Sequence, residues 1–273
     1  MIKQSKVLDA IKKIAPEGLQ EDWDNSGIQI STAAGDEKDI KKLLTCLEIS
    51  DAVVAEAVRK GADMILTHHP LIFGKISRVD AEDVIGNQIV ELIKHDISVY
   101  SSHTAFDSAA HGTNQYLAEQ IGLEDVVPLI AAADEYAGCG MGRVGRYISP
   151  LDFSDFYKTL ERVCGGKDGS EVRVAGKVPA KVAKVALCTG AGAEFIDKAA
   201  ALGCDAYITG DVKYHDARHA DDIGLCVIDA GHYGTEVVFA KNMAAQLEHE
   251  LGGTLEILVS ETNINPFIDI ASV

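Results

Sequence analysis

Apolar positions along the chain fall into short blocks whose period changes, and each change marks an element. The opening MIKQSKVLDAIKKIAPEGL sets Val7, Leu8, Ile11 and Ile14 at helical spacing. From Leu44 to Thr67, LTCLEISDAVVAEAVRKGADMILT reads as strand, helix, tight glycine turn and strand. ILTHHPLIF then ends an apolar strand in two histidines and a proline. Pro70 cannot donate to a ladder, so the strand stops near His69, and His68 and His69 sit at its carboxyl end.

The same pattern returns later. Leu44 to Thr67 lies without a gap over Ala186 to Thr209, with Cys46 on Cys188, Ala57 on Ala199, Gly61 on Gly203, Asp63 on Asp205 and Thr67 on Thr209, each pair 142 positions apart. Further on, ISVYSSHTAFDSAAHGTNQYLAEQIG resembles LCVIDAGHYGTEVVFAKNMAAQLEHELG: a β-branched strand, a loop carrying His, a Gly-Thr pair and an amphipathic helix. The expected fold is α/β, two related halves over residues 1–125 and 126–273, with mainly parallel or mixed sheets flanked by helices. Residues 126–180 carry glycine clusters (EYAGCGMGRVG, GGKDGSE) and short β-rich runs, and read as the join and first strands of the second half, with no inserted middle domain.

Composition narrows the class. The chain has 273 residues, 47% hydrophobic and 25% charged, as in an ordinary soluble protein of one large or two smaller domains. A formal charge of -17 disfavours a surface that tracks nucleic-acid phosphates. No stretch is apolar for long enough to span a membrane or serve as a signal peptide. Six cysteines, at 46, 139, 164, 188, 204 and 226, form no CxxC pair and read as reduced core residues of a cytoplasmic protein.

Four stretches begin where an apolar strand ends: Thr67 to Pro70, Ser102 to Asp107, Gly210 to Asp216 and Gly231 to Glu236. Ligand sites of α/β sheets lie beyond the carboxyl ends of strands. Adjacent side chains of an extended segment point to opposite faces, so His68 and His69 suit two ions side by side, or one ligand and one packing residue, better than one shared ion. Two exposed strand-end histidines are the plain alternative. His232 and Glu236 share a face if a helix has begun by His232; with Gly234 and Thr235 as its cap, the pair straddles the cap instead. His103 and Asp107 repeat this spacing, where a loop-stabilising Asp beside a partly buried His is the simpler reading. Together, imidazoles and carboxylates form the ligand set of borderline divalent ions, and few protein ligands per ion leave positions open to water.

Two glycine-rich stretches need sorting. Gly140-Met141-Gly142-Arg143-Val144-Gly145 matches G-x-G-x-x-G but leads into a strand-like RYISP, the wrong context for a dinucleotide fingerprint. Gly190-Ala191-Gly192 falls between a strand over 185–187 and a helix over 194–202, where amides at the helix start could hold an anion and a tight turn is the plainer reading. Trp23 to Gly27 reads as a turn anchored by the only tryptophan.

WDNSGIQI, ILTHHPLIF, SSHTAFD, GDVKYHDA and DAGHYGTE occur in an order that resembles the Nif-three-like dinuclear metal-centre hexamer family, many of whose members are called GTP cyclohydrolase 1 type 2 homologues. The resemblance covers essentially the whole chain. It implies two divalent ions per subunit (Zn, Fe, Mn, Co or Ni), with His68 and Asp107 on one, His69 and His232 on the other and Glu236 between them. It also implies a toroidal homohexamer, a nucleotide substrate opened at its guanine imidazole ring with loss of formate, and His103 and His215 as catalytic candidates. Lys75, Arg78, Lys213 and Arg218 lie near the motifs as phosphate-binding candidates. A metal-dependent scaffold and a metal-dependent phosphatase or nuclease are the competing readings.

Overall fold

The structure is a computed structural model that describes residues 1–33, 38–165 and 171–267. Most of GGKDGSE therefore lies outside the described residues. The chain begins with β1 (Ile2–Lys3), α1 (Gln4–Ile14), β2 (Gly27–Ile30), β3 (Asp39–Ile40), β4 (Lys42–Cys46), α2 (Asp51–Lys60), β5 (Met64–Thr67), α3 (Val84–Lys94), β6 (Ser98–Ser101) and α4 (Thr104–Ser108). Then come α5 (Thr113–Gln120), β7 (Glu124–Ala131), β8 (Gly140–Asp152), α6 (Phe153–Val163), β9 (Arg173–Ala175), β10 (Lys181–Ala191), α7 (Ile196–Ala201), β11 (Ala206–Gly210), α8 (Tyr214–Ile223), β12 (Cys226–Asp229) and α9 (His232–Glu236). α10 (Phe239–Leu251) and β13 (Glu256–Val259) follow.

These elements pack as two compact units, residues 1–106 with 239–264, and residues 107–238 with the segment from Asn265. The halves drawn from the repeat and the units drawn from packing are different divisions, because α10 and β13 return to the first sheet.

The first unit holds a five-stranded sheet in the order β13-β4-β5-β6-β2, parallel except for β2. Leu43, Leu44, Met64, Ile65, Leu66 and Val99 are fully buried, as in a parallel sheet covered on both faces. Val53, Ala57, Ile89 and Leu92 from α2 and α3 pack against Leu44, Ile65 and Val99 on one face. Each Val, Leu or Ile among them contributes about 1.5–3 kcal/mol by leaving water. Ser50 caps α2, its hydroxyl accepting from Val53 N–H at 3.3 Å.

The second unit holds a six-stranded mixed sheet in the order β7-β8-β10-β11-β12-β9, in which only β10-β11-β12 is parallel. Leu117, Phe156 and Leu160 cover one face over Val185, Leu187 and Ile208. Ile196, Ala199 and Ala220 cover the other over Ala186, Tyr207 and Val227. The segment read as a join supplies two long antiparallel strands, β7 and β8, and the helix α6 as well. G-x-G-x-x-G lies within β8, a strand and not a strand-to-helix turn.

The sequence repeat is a structural repeat down to its register. Leu43 pairs with Met64 and Leu44 with Ile65; their counterparts Val185 and Ala206, and Ala186 and Tyr207, pair in the same way. Asp63 Oδ2 accepts from the N–H groups of Lys41 and Lys42, and Asp205 Oδ2 from those of Ala183 and Lys184. Gly61 and Gly203 both turn the chain with φ near +70° (67° and 69°), where a side chain would be strained. The repeat thus preserves the device that starts each parallel pair, and with it the position where each strand ends.

All six cysteines are free, five of them buried and Cys139 half-buried. Among the described residues no helix is long and apolar enough to cross a membrane.

Candidate metal centre

In the first unit the ladder carries on one step past β5: His68 N–H donates to Cys46 O at 3.2 Å and His69 N–H to Leu47 O at 2.9 Å. Pro70 then ends it. His68 is completely buried, walled by the Phe239 ring at 4.7 Å between centroids. Its Nδ1 lies 2.9 Å from Ser102 O. A carbonyl only accepts, so Nδ1 carries the proton and Nε2 keeps its lone pair. Backbone anchoring of this kind is what orients histidine ligands of metals.

His69 is partly exposed and has Glu48 Oε2 3.7 Å from its Nδ1, an ion-pair and not a hydrogen-bond distance. His103 completes the group: the ring centroids of His68, His69 and His103 are 5.1 to 5.6 Å apart. One ring nitrogen of each lies within 4.8 Å of the others, close enough to surround an ion.

His103 is held from behind by Asp24. Asp24 Oδ1 is 2.9 Å from His103 Nδ1, and Oδ2 accepts from Ser26 Oγ at 2.8 Å and Thr104 Oγ1 at 2.7 Å. Burial alone pushes this carboxyl up; the bond to and charge of His103, with the two hydroxyls, outweigh it and hold Asp24 far below the usual carboxylate range. The turn over Trp23 to Gly27 is therefore anchored by Asp24 and not by Trp23, which is 61% exposed. An indole can only donate through one N–H, whereas a carboxylate accepts from several neighbours at once.

In the second unit α9 has already begun at His232, with Gly231 as its cap residue, so His232 and Glu236 share one face. Thr235 is buried inside the helix, its hydroxyl accepting from Gly190 N–H at 3.0 Å. His232 Nε2 stands 3.0 Å from Glu236 Oε2, and His232 Nδ1 2.7 Å from Asp211 Oδ2. With Nδ1–H donating to the Asp211 carboxylate, Nε2 and the Glu236 carboxylate are two acceptors face to face; a shared proton or cation relieves that opposition. Glu236 is 3% exposed. Asp107 is buried too, its Oδ1 accepting from the Thr113 hydroxyl. The donor set, neutral imidazoles with anchored Nδ1 and buried carboxylates, fits a divalent ion of the borderline class.

Gly190-Ala191-Gly192 does more than turn the chain. β10 runs on through Ala191, a short 3-10 turn (Ala193–Phe195) follows, and α7 starts only at Ile196. A Cβ on Gly190 would collide with Glu236 Oε1 and press on His232 Nε2. Glycine is required there for the helix face to approach the strand.

His215 is exposed on the first turn of α8, its ring edge-on to Tyr214 at 5.3 Å, and joins none of the chelating groups among the described residues. Arg218 pairs with Asp221 and Asp222 of its own helix, while Lys75, Arg78 and Lys213 are exposed. Two aspartates carry geometry that the sequence pattern does not single out, Asp24 behind His103 and Asp211 behind His232. Asp211 also has φ +53°, a left-handed turn conformation that it shares with Asp96 and Asp125 and that aspartate adopts more readily than most residues. The signal present in the sequence is that each lies in a polar run at a strand end, within WDNSG and GDVKYH.

Fold and site together define an α/β protein whose strand ends carry groups of His, Asp and Glu able to coordinate divalent metal ions. The sequence profile of the Duf34/NIF3 (NGG1p interacting factor 3) family matches residues 2–266, and the chain belongs to that family. It is 33% identical over 266 residues to a GTP cyclohydrolase 1 type 2 homolog of Clostridium perfringens, covering 97% of this chain and 99% of the relative. A GTP cyclohydrolase 1 type 2 homolog of Streptococcus pneumoniae is 34% identical over 270 residues, covering 96% and 98%. Among solved structures, reduced HcgD from Methanocaldococcus jannaschii superposes with a TM-score of 0.79 at 30% identity, over 96% of this chain and 98% of that one. A Bacillus cereus protein related to NIF3 shares the fold, with a TM-score of 0.87 at 23% identity over 98% and 99%.

Proposed function

We propose that the protein is a metal-dependent hydrolase that opens the imidazole ring of GTP and releases formate, as the name of its relatives suggests. His68, His69, Asp107, His232 and Glu236 hold two divalent ions, His68 and Asp107 serving one, His69 and His232 the other, with Glu236 shared. The observation that carries this reading is the fixing of both key rings from behind: Ser102 O holds His68 at Nδ1 and Asp211 holds His232 at Nδ1, which leaves Nε2 of each as the ligand atom.

Divalent ions bound by such residues supply a water nucleophile at neutral pH. In this reading His103 takes one proton of the attacking water as its oxygen bonds to C8 of the guanine ring, while the C8=N7 π pair passes to N7, which takes a proton from solvent. Asp24 steadies the resulting imidazolium through the Nδ1–H bond, as a buried carboxylate does for a general-base histidine. The C8–N9 bond then breaks with its electron pair on N9, which receives the proton held on His103 Nε2, while the C8 hydroxyl gives its proton to solvent and becomes the carbonyl of a formamide on N7. A second water hydrolyses the remaining formamide at N7, releasing formate and leaving an amine. His215 has no comparable carboxylate among the described residues, and we assign it no proton. Subunits assemble as a homohexamer in this reading, which light scattering on the purified protein tests.

Product analysis separates the possibilities. Formate from GTP supports ring opening; inorganic phosphate without formate moves the site to phosphate-ester hydrolysis, and neither product moves it to a non-catalytic scaffold.

A further inference from the structure

The first unit carries a pair of exposed aromatic rings that no part of the metal reading uses. Trp23 is 61% and Phe73 57% exposed, in a chain with one tryptophan. Their centroids are 6.2 Å apart with the planes inclined at 52°, the two sides of an open corner, and Trp23 also meets His103 edge-on at 5.9 Å. Exposed rings of this size cost free energy in water unless something covers them.

The two rings sit on loops that are laced together. Asn25 Nδ2 donates to Ile72 O, Ile72 N–H donates to Gln29 Oε1 at 3.1 Å, and Gln29 Nε2 donates to Asn25 O at 2.7 Å. Asn25 lies in the Trp23 turn and Gln29 just after it, and Ile72 precedes Phe73, so the polar residues of WDNSGIQI hold the aromatic end of HHPLIF in place. A platform fixed by hydrogen bonds loses little entropy when a ligand settles on it. Lys75 and Arg78 follow on the same loop, exposed and in no salt bridge among the described residues, two cations on a chain of net charge -17.

We propose that Trp23 and Phe73 form an aromatic platform for the purine ring of a nucleotide, one ring stacked on its face and the other against its edge, with Lys75 and Arg78 taking its phosphates. Every base has a π-face, and flat aromatic rings beside cations are how proteins hold nucleotides without reading their edges. The inference deepens the ring-opening reading, on which its choice of ligand rests, by naming the residues that carry the base.

Because Trp23 is the only tryptophan, indole emission excited at the red edge of its absorption reports the platform directly. Metal-replete protein is titrated with GTP, guanosine and inorganic triphosphate, and formate is assayed in the same samples. The expected result is saturable quenching by GTP and guanosine and none by triphosphate, with the guanosine Kd raised about tenfold in Phe73→Ala, equivalent to roughly 1.4 kcal/mol of stacking. Circular dichroism checks that the variant is folded. Formate release without any change in indole emission overturns the platform and leaves ring opening standing. Quenching without formate keeps the platform and removes ring opening. Equal quenching by triphosphate, or a change of oligomeric state in Trp23→Ala with guanosine binding unchanged, overturns the platform in favour of an anion effect or a subunit contact.

Discussion

Asp24 Oδ1 lies 2.9 Å from His103 Nδ1, with the Asp24 side chain fully buried and His103 reaching the histidine group at the end of β5. A carboxylate in that position fixes the tautomer of the ring and stabilises its charged form. Asp24→Asn keeps the size of the side chain and removes both effects. Formate release is expected to fall by about 10²–10⁴-fold in Asp24→Asn and in His103→Ala, with KM little changed. Steady-state kinetics of the double variant check that the two act as one unit: its loss should match the larger single loss, and a multiplied loss would separate them.

The anchors behind the metal-facing rings give a second expectation. Asp211 does not need to touch an ion to matter, because it sets which nitrogen of His232 carries the proton and which turns toward Glu236. Asp211→Ala is expected to weaken metal binding about 10–100-fold, and His68→Ala to abolish it at one position. Competition with a chromophoric chelator measures both, and unchanged affinity in Asp211→Ala would contradict the tautomer argument.

How much of this was legible in the sequence depends on which residues carry a period. The repeat was legible because Gly61 and Gly203, and Asp63 and Asp205, are fixed by backbone geometry that tolerates few replacements. The histidine groups were legible because polar residues at strand ends interrupt an apolar run. Asp24 and Asp211 were harder to see, since an aspartate in a turn is ordinary and only the ring that it faces makes it functional. Gly190 looked like a turn residue because close approach to Glu236 is a tertiary fact with no local pattern. The return of α10 and β13 to the first sheet is likewise set by long-range pairing, β13 against β4, which no periodicity records.

Acid should act on the first unit through Glu56. Burial alone would raise this carboxyl; the Glu261 N–H, Lys60 Nζ and the Ser260 and Thr262 hydroxyls outweigh it and lower its pKa from 4.5 to about 2. A carboxyl lowered by folding stabilises the protein above its unfolded pKa, and the contribution fades as pH falls through the folded one. The stabilisation is on the order of 3 kcal/mol, full above about pH 5 and gone by about pH 2. Urea unfolding between pH 6 and pH 2, compared with Glu56→Gln, checks this: the wild type should lose its advantage over that window, and parallel curves would contradict it.

Arg143 is the largest fully buried polar side chain of the second unit. Its guanidinium donates to Gly140 O, Gly142 O, Ala109 O and Gln115 Oε1, tying β8 to the chain just after Asp107. Burial pulls its pKa down to about 10, which leaves it charged at neutral pH. Lysine carries the charge but not the fork, so Arg143→Lys is expected to destabilise the protein by roughly 3 kcal/mol, read as a lower urea midpoint. A change below about 1 kcal/mol would mean that the four acceptors find other donors.

His68, His69, Asp107, His232 and Glu236 are expected to hold two divalent ions between them. Elemental analysis of protein purified without chelator or affinity tag, reconstituted with zinc, manganese, iron, cobalt or nickel and freed of excess by gel filtration, tests it most directly. Close to two ions per chain with at least one of these metals, falling in His68→Ala, is the expected result. Less than one ion per chain with every metal would contradict it.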